Sequence, residues 1–268
     1  MNNIVKQFCP PILWNFLAYL KASRASFNSP KNSLLLSPTS LNTDHQDLDM
    51  YWNTEMANIL ETWGEGNVWS EIQFLMATCE GRVLDIACGT GKTIEIISKF
   101  PNIEVYGIDI SDFVISKAIE RGISSNHLKV GNTTSTNYSD NFFKYSYSIG
   151  SLEHFTNTGI SEFISESYRV TEIASFHMLP VSRSGKDEGW IKRLQSYHNN
   201  SVDWWLDKFY LSYPNVYVID SYWNDDISVG KWFICCKNEA KVNKNEIPIE
   251  EDNSTYALTE NTKSLNLF

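Results

Sequence analysis

From Arg82 onward, short apolar runs alternate with segments whose apolar residues recur at helical spacing. RVLDIA, VYGIDI, HLKV, YSYSIG and IASFHML read as strands, and KTIEIISKF, DFVISKAIERG and ISEFISESYRV as helices, the second closed by a Gly. This rhythm predicts a parallel sheet covered by helices on both faces. Further on, VYVIDSYW and GKWFICC are joined only by a short link around DDISV, which permits antiparallel pairing alone. The expectation is an α/β fold on seven strands, mostly parallel, with the last one antiparallel.

The first 80 residues and the last 31 follow other patterns. Pro11 to Arg24 reads as a short helix, 25–43 as a Ser- and Asn-rich linker, and 46–62 and 68–79 as helices parted by Gly64-Glu65-Gly66. Residues 238–268 are polar, acidic on balance and aperiodic, as in a disordered tail. The expected division is 1–80 as helices and linker capping an acceptor region, 81–237 as the sheet domain, and 238–268 as tail. The apolar opening is split by Pro10-Pro11, lacks a cleavage site and is too short to span a bilayer. A cytoplasmic protein is expected. Its first helix, ending in Lys21 and Arg24, could lie on the inner membrane face.

Composition narrows the partners. Among 268 residues, 42% are hydrophobic and 13% aromatic, which supports a sizeable core. The net charge of −10 counts against nucleic acid as the main partner. Five Cys show no C-x-x-C spacing, and adjacent Cys235 and Cys236 point to opposite faces of a strand, so no metal site is expected. Asp220, Asp225 and Asp226 read as solvated turn acids rather than Mg²⁺ ligands.

The segment LDIACGTGKT, Leu84 to Thr93, holds pieces of three nucleotide-binding signatures. A P-loop ending in Gly91-Lys92-Thr93 would need Gly at position 86, which is Ile86. A dinucleotide fingerprint from Gly89 would need a small residue where Ile94 stands. The third pattern is strand, Asp85, then Ala87-Cys88-Gly89-Thr90-Gly91, then helix. Here the chain resembles the class I S-adenosylmethionine-dependent methyltransferases, whose first motif commonly reads D-x-G-C-G-T-G. Ala87 stands where that family usually has Gly. The resemblance implies a Rossmann-like fold with S-adenosylmethionine as methyl donor. It also implies Asp85 at the cofactor's amino-acid end, Gly89 and Gly91 giving the backbone close approach, and Cys88 within the same turn. Asp109, 18 residues after Gly91, is expected to accept the ribose hydroxyls beside Ile110. Asn132 and Thr133 stand where members contact adenine, Asn132 through its carbonyl oxygen. In SIGSLEHFT, Ile149 and Gly150 are expected along the methionine end.

Methyl transfer needs alignment, exclusion of water and management of one proton. His154, beside Glu153 after the fourth strand, is the candidate base; the alternative is that it only fixes its loop. His177 reads as a core residue. Trp52, Trp63 and Trp69 in the N-terminal helices, and Trp190, Trp204 and Trp205 after the fifth strand, either fill the core or offer flat faces to a sugar ring. The opening PPILWNFLAYLK resembles the starts of enzymes encoded for bacterial surface polysaccharides. The expected acceptor is therefore a small molecule or glycan, methylated on oxygen. A non-catalytic cofactor-binding domain and a protein or nucleic-acid methyltransferase are the alternatives, and the oligomeric state is left open.

Overall fold

The computed structural model describes residues 54–192 and 196–237. The expected helix at 11–24, the linker, the start of the helix at 46 and the tail at 238–268 lie outside the described residues.

Two helices come first, α1 (Thr54–Thr62) and α2 (Val68–Met76). The alternating core follows: β1 (Gly81–Ile86), α3 (Lys92–Ile97), β2 (Ile103–Asp109), α4 (Asp112–Glu120), β3 (Leu128–Val130), β4 (Phe143–Ile149), α5 (Asn157–Val170) and β5 (Thr171–Ser182). A short hairpin of β6 (Trp190–Lys192) and β7 (Ser196–His198) precedes α6 (Val202–Phe209), β8 (Asn215–Asn224) and β9 (Ser228–Cys236). The main sheet has seven strands in the order β3-β2-β1-β4-β5-β9-β8. The first five are parallel, and β9 runs antiparallel to both β5 and β8. This is the expected α/β, Rossmann-like architecture. The chain reverses between β1 and β4, and in such sheets the crevice at that reversal, beyond the strands' C-terminal ends, is where ligands bind.

Period-2 alternation assigns each strand's residues to two cores. Leu84, Phe143, Phe163, Trp205, Phe209 and Phe233 pack on the face covered by α5 and α6. Val83, Val105, Ile72, Met76, Ile94 and Trp232 pack on the face covered by α2 and α3. Cys235 and Cys236 divide between these faces as expected. Trp205 is fully buried, which settles it as core.

The hairpin β6–β7 and helix α6 were not legible in the alternation. Three-residue strands fall below the length at which period 2 can be read. In α6 the signal is local instead: Ser201 caps the helix by accepting the Trp204 N–H at 3.1 Å.

Candidate active site

β1 delivers Asp85 at its C-terminal end, followed by a turn in left-handed backbone. Ala87 has φ 61°, Gly89 φ 52° and Gly91 φ 72°. Such a conformation is open to Gly but strained for any residue with a Cβ. The two outer positions differ in purpose. At Gly91 an added Cβ would stand 2.4 Å from Ile123 Cδ1 and 3.0 Å from Ala118 Cβ, so this Gly lets α3 start close to the end of α4. Gly91 does not line the cavity described below; it supports the turn from behind. Gly107, inside β2, serves the same turn, since a Cβ there would lie 2.8 Å from Cys88 Sγ. Sequence reasoning missed it, although a Gly inside a strand signals close approach.

At the C-terminal ends of β1, β2 and β4 a cavity of about 660 Å³ opens. Of the residues expected at a cofactor site, Asp85, Ala87, Cys88, Gly89, Asp109, Ile110, Asn132, Thr133, Ile149 and Gly150 all line it, and so do Glu153 and His154. The turn is braced from β2: Asp109 Oδ2 accepts the Gly89 N–H at 2.9 Å, and Oδ1 accepts the Ser111 N–H at 3.0 Å. Burial raises the Asp109 carboxyl above its ordinary range, against the pull of these N–H groups. Asp85 is buried, and Thr93 Oγ1 donates to its Oδ2 at 2.6 Å. Burial pushes Asp85 up to about 7, with Thr93 opposing and the Asp109 charge adding to the rise. Asn132 departs from expectation in detail. Its carbonyl oxygen accepts the Thr134 N–H and the Thr134 hydroxyl, each at 2.9 Å, so it is turned back on its own loop.

After β4, Leu152–His154 form a 3₁₀ turn that buries both polar side chains. His154 Nδ1 lies 2.7 Å from the Ser196 carbonyl oxygen. A carbonyl can only accept, so Nδ1 carries the proton and, in the neutral ring, Nε2 carries the lone pair. Burial lowers His154 to about 4, opposed by the Ser196 and Gly150 carbonyls. Glu153 Oε1 is 3.7 Å from His154 Nε2, while Oε2 is buried without a hydrogen-bond partner. Burial raises Glu153 to about 8. The contact between β7 and this turn could not be read from sequence, because it bridges 42 residues.

His177 lies in the core as expected. It is fully buried, 2.8 Å from Ser148 Oγ through Nδ1, and burial lowers it to about 3. Asp225 Oδ1 accepts the N–H groups of Ile227 and Ser228 in the turn, whereas Asp220 lies within β8 and pairs across the strands with Lys231. Among the described residues no group of His, Cys, Asp and Glu could hold a metal ion, and no helix is long and apolar enough to cross a membrane.

The N-terminal helices close one side of the cavity. Ile59, Leu60 and Trp63 line it, and a Cβ on Gly89 would meet Leu60 Cδ1 at 3.2 Å. A charged cluster ties α1 to the turn. Arg121 bonds the Thr90 carbonyl at 3.0 Å, Glu95 at 2.9 Å and Glu61, and Thr90 Oγ1 donates to Glu61 at 3.0 Å. Trp223 and Asp225, from the C-terminal hairpin, also line it, with the Trp223 ring centroid 5.9 Å from that of Trp63.

Comparisons with known proteins agree with this geometry. A search among curated proteins gives no match. A putative methyltransferase in complex with the Haloferax volcanii Trm112 activator aligns over 72% of this chain and 98% of its own, with 12% identity and a TM-score of 0.58. Phosphoethanolamine N-methyltransferase 2 of Haemonchus contortus aligns over 71% of this chain and 59% of its own, with 15% identity and a TM-score of 0.56. Geranyl diphosphate C-methyltransferase of Streptomyces coelicolor aligns over 63% and 76%, with 14% identity and a TM-score of 0.51. These likenesses concern the fold. Residues 83–173, which span β1 to the start of β5 and hold the Gly turn, Asp109 and the Glu153-His154 turn, match the methyltransferase domain family. The chain thus carries a class I S-adenosylmethionine-dependent methyltransferase domain, and it is a methyltransferase.

Proposed function

We propose that this chain moves a methyl group from S-adenosylmethionine to a hydroxyl of a small sugar acceptor, in the setting of surface polysaccharide synthesis. The observation that carries the acceptor class is the aromatic and acidic part of the cavity lining. Trp63, Trp69 and Trp223 line it together with Glu162 and Asp225. Flat aromatic faces suit the apolar side of a sugar ring, and carboxylates accept its hydroxyls. Among the described lining residues Lys92 is the only Lys or Arg, and it is paired with Glu95 at 3.3 Å. A phosphorylated acceptor would therefore meet little counter-charge. The Haemonchus enzyme is solved with phosphomonomethylethanolamine and the Streptomyces enzyme with geranyl-S-thiolodiphosphate. Both ligands are small molecules, and a small acceptor suits a cavity of this size, although this lining offers their phosphates little positive charge.

The residues present fit the methyl donor. Asp109 accepts the Gly89 and Ser111 N–H groups, with the Ile110 N–H also acting on it, and a carboxylate's further acceptor capacity suits a ribose hydroxyl. Asp85, buried and without a cationic partner among the described residues, suits the ammonium of the amino-acid end. When bound, S-adenosylmethionine supplies an electrophilic methyl group on its sulfonium. His154 is neutral at physiological pH, and its Nε2 can take the acceptor hydroxyl's proton as the oxygen becomes a nucleophile. Glu153, 3.7 Å from that nitrogen, stabilises the resulting imidazolium once it is ionised.

Calorimetric titration with S-adenosylhomocysteine, followed by transfer from tritiated donor to methyl glycosides, tests the reading. Micromolar binding and label on sugar in the wild type, with transfer but not binding lost in His154→Ala, is the expected result. Binding without transfer to any sugar would withdraw the acceptor class. No binding by the folded protein would withdraw the donor assignment.

A further inference from the structure

The N-terminal helices and the C-terminal hairpin meet at one buried carboxylate. Glu71, in the first turn of α2, is 8% exposed and accepts three hydrogen bonds. Ser221 Oγ and Trp232 Nε1 each donate to Oε2 at 2.7 Å, and the Tyr222 N–H donates to Oε1 at 2.7 Å. All three donors are uncharged and belong to β8 or β9. They cluster where the β8–β9 register shifts, between Asp220 and Asn224. Such an irregularity takes strand N–H groups out of the ladder, and here Glu71 receives one of them.

A relay leads from Glu71 to the cavity. The Ser221 hydroxyl that donates to Glu71 also accepts the Trp223 N–H at 3.1 Å. Gly230 makes room for it, since a Cβ there would lie 3.0 Å from Ser221 Oγ and 2.9 Å from Ser221 Cβ. Trp223 thereby faces the cavity with its ring centroid 5.9 Å from that of Trp63. Trp63 is referenced to the same helix from its other side. The next residue, Gly64, lies under the Trp69 ring, where a Cβ would stand 2.4 Å from Nε1, and its carbonyl accepts the Trp69 N–H at 3.2 Å. Both halves of the aromatic wall are thus fixed relative to the first turn of α2. An acceptor-only group is needed to receive three donors; Gln would bring two donors of its own and leave at least one of the three unmet.

We propose that Glu71 is the positioning residue that sets the acceptor end of the cavity by holding Trp223 against Trp63. This rests on reading that end as the acceptor site. Among the described residues Asp85, Asp109 and the Gly turn share no hydrogen bond with Glu71. The aromatic pair meets the expected donor residues only where Trp63 packs on Gly150, a Cβ there lying 3.3 Å from its ring, so Glu71→Gln should act far more on Trp223 than on cofactor binding.

Far-ultraviolet circular dichroism reads the Trp63–Trp223 pair as an exciton couplet, identified by its loss in Trp63→Phe and in Trp223→Phe. Glu71→Gln should reduce the couplet by more than half while leaving the S-adenosylhomocysteine Kd within about threefold. With tritiated donor and methyl glycosides, its apparent KM for the sugar should rise about tenfold at little-changed kcat. An intact couplet, or a loss of cofactor affinity as large as the rise in KM, would overturn the proposal. If Glu71→Gln does not fold, Ser221→Ala decides, because it cuts the relay and keeps the other two bonds. A reduced couplet supports the role, and an unchanged one removes it. Failure of the wild type to bind S-adenosylhomocysteine would instead sink the donor assignment, and the couplet would still decide on Glu71.

Discussion

Asp109 Oδ2 holds the backbone N–H of Gly89 at 2.9 Å, joining the end of β2 to a turn that lies 20 residues earlier. The carboxylate therefore has two tasks. It braces the turn from inside, and it lines the cavity, where the proposed ribose contact would fall.

Removing both tasks at once should be costly. Asp109→Ala is expected to weaken S-adenosylhomocysteine binding by about 10–100-fold, as read by calorimetry. Asp109→Asn keeps the shape but has a single acceptor oxygen, so it should fall between the two. An Ala variant that binds like the wild type would show that ribose recognition lies elsewhere.

Asp85 ties binding to protons. Its folded pKa is raised from 3.8 to about 7, so a large share of the free protein holds this carboxyl protonated at neutral pH. An ammonium beside it favours the ionised form. Binding of S-adenosylhomocysteine should then release a proton, and affinity should rise with pH, by up to about tenfold per unit below 7, and level off above it. Calorimetry in buffers of different ionisation enthalpy measures the release directly. Asp85→Asn should bind without proton release and without this pH step.

That Asp85, Gly89 and Asp109 meet at one cavity was legible in the sequence, because they sit on one strand-turn-helix unit and on the strand that follows. Local spacing carries such a unit. Alternation likewise yielded the seven strands and the antiparallel β9, since each strand is long enough to show its period or is bounded by a clear turn. The aromatic part of the cavity lining was legible only as a surplus of Trp. Its geometry depends on Glu71 meeting Ser221 150 residues later, and on Ser196 meeting His154. Neither pair leaves a periodic or local mark. Trp63 was singled out and does line the cavity, whereas Trp205, equally conspicuous in the chain, is core. Composition does not distinguish these fates.

The Glu153–His154 pair predicts an alkaline limb. Glu153 is raised from 4.5 to about 8, while His154 at about 4 is already neutral across the working range. Only ionised Glu153 can stabilise a proton arriving on His154. Methyl transfer should therefore increase with pH through about 8 and flatten above it, and Glu153→Gln should lose both the limb and much of the rate. Stability moves the other way. A carboxyl whose folded pKa exceeds its unfolded value favours the folded state least once it must ionise, so the wild-type Tm should fall as pH climbs from 4.5 through about 8. Glu153→Gln, which has no charge to bury, should melt several degrees above the wild type at alkaline pH. A rate profile that is flat from neutral to alkaline pH in the wild type would remove Glu153 from the proton path.

Ala87 offers a test of the one departure from the family's first motif. Its φ of 61° places a Cβ in left-handed backbone, at a cost of roughly 1–2 kcal/mol. Gly would remove that strain but adds about 0.5–1 kcal/mol of unfolded-chain entropy. The difference favours Gly by about 0–1.5 kcal/mol, so Ala87→Gly should leave Tm unchanged or raise it by up to roughly 6 °C. Ala87 also lines the cavity, so losing its methyl group should leave S-adenosylhomocysteine affinity equal or higher. Ala87→Val acts in the opposite sense, because a β-branched side chain is far less tolerant of positive φ. That variant should melt lower and bind more weakly. If Ala87→Gly instead lowered Tm, the turn would carry no strain at this position, and the family's preference for Gly there would have to come from contact with the ligand alone.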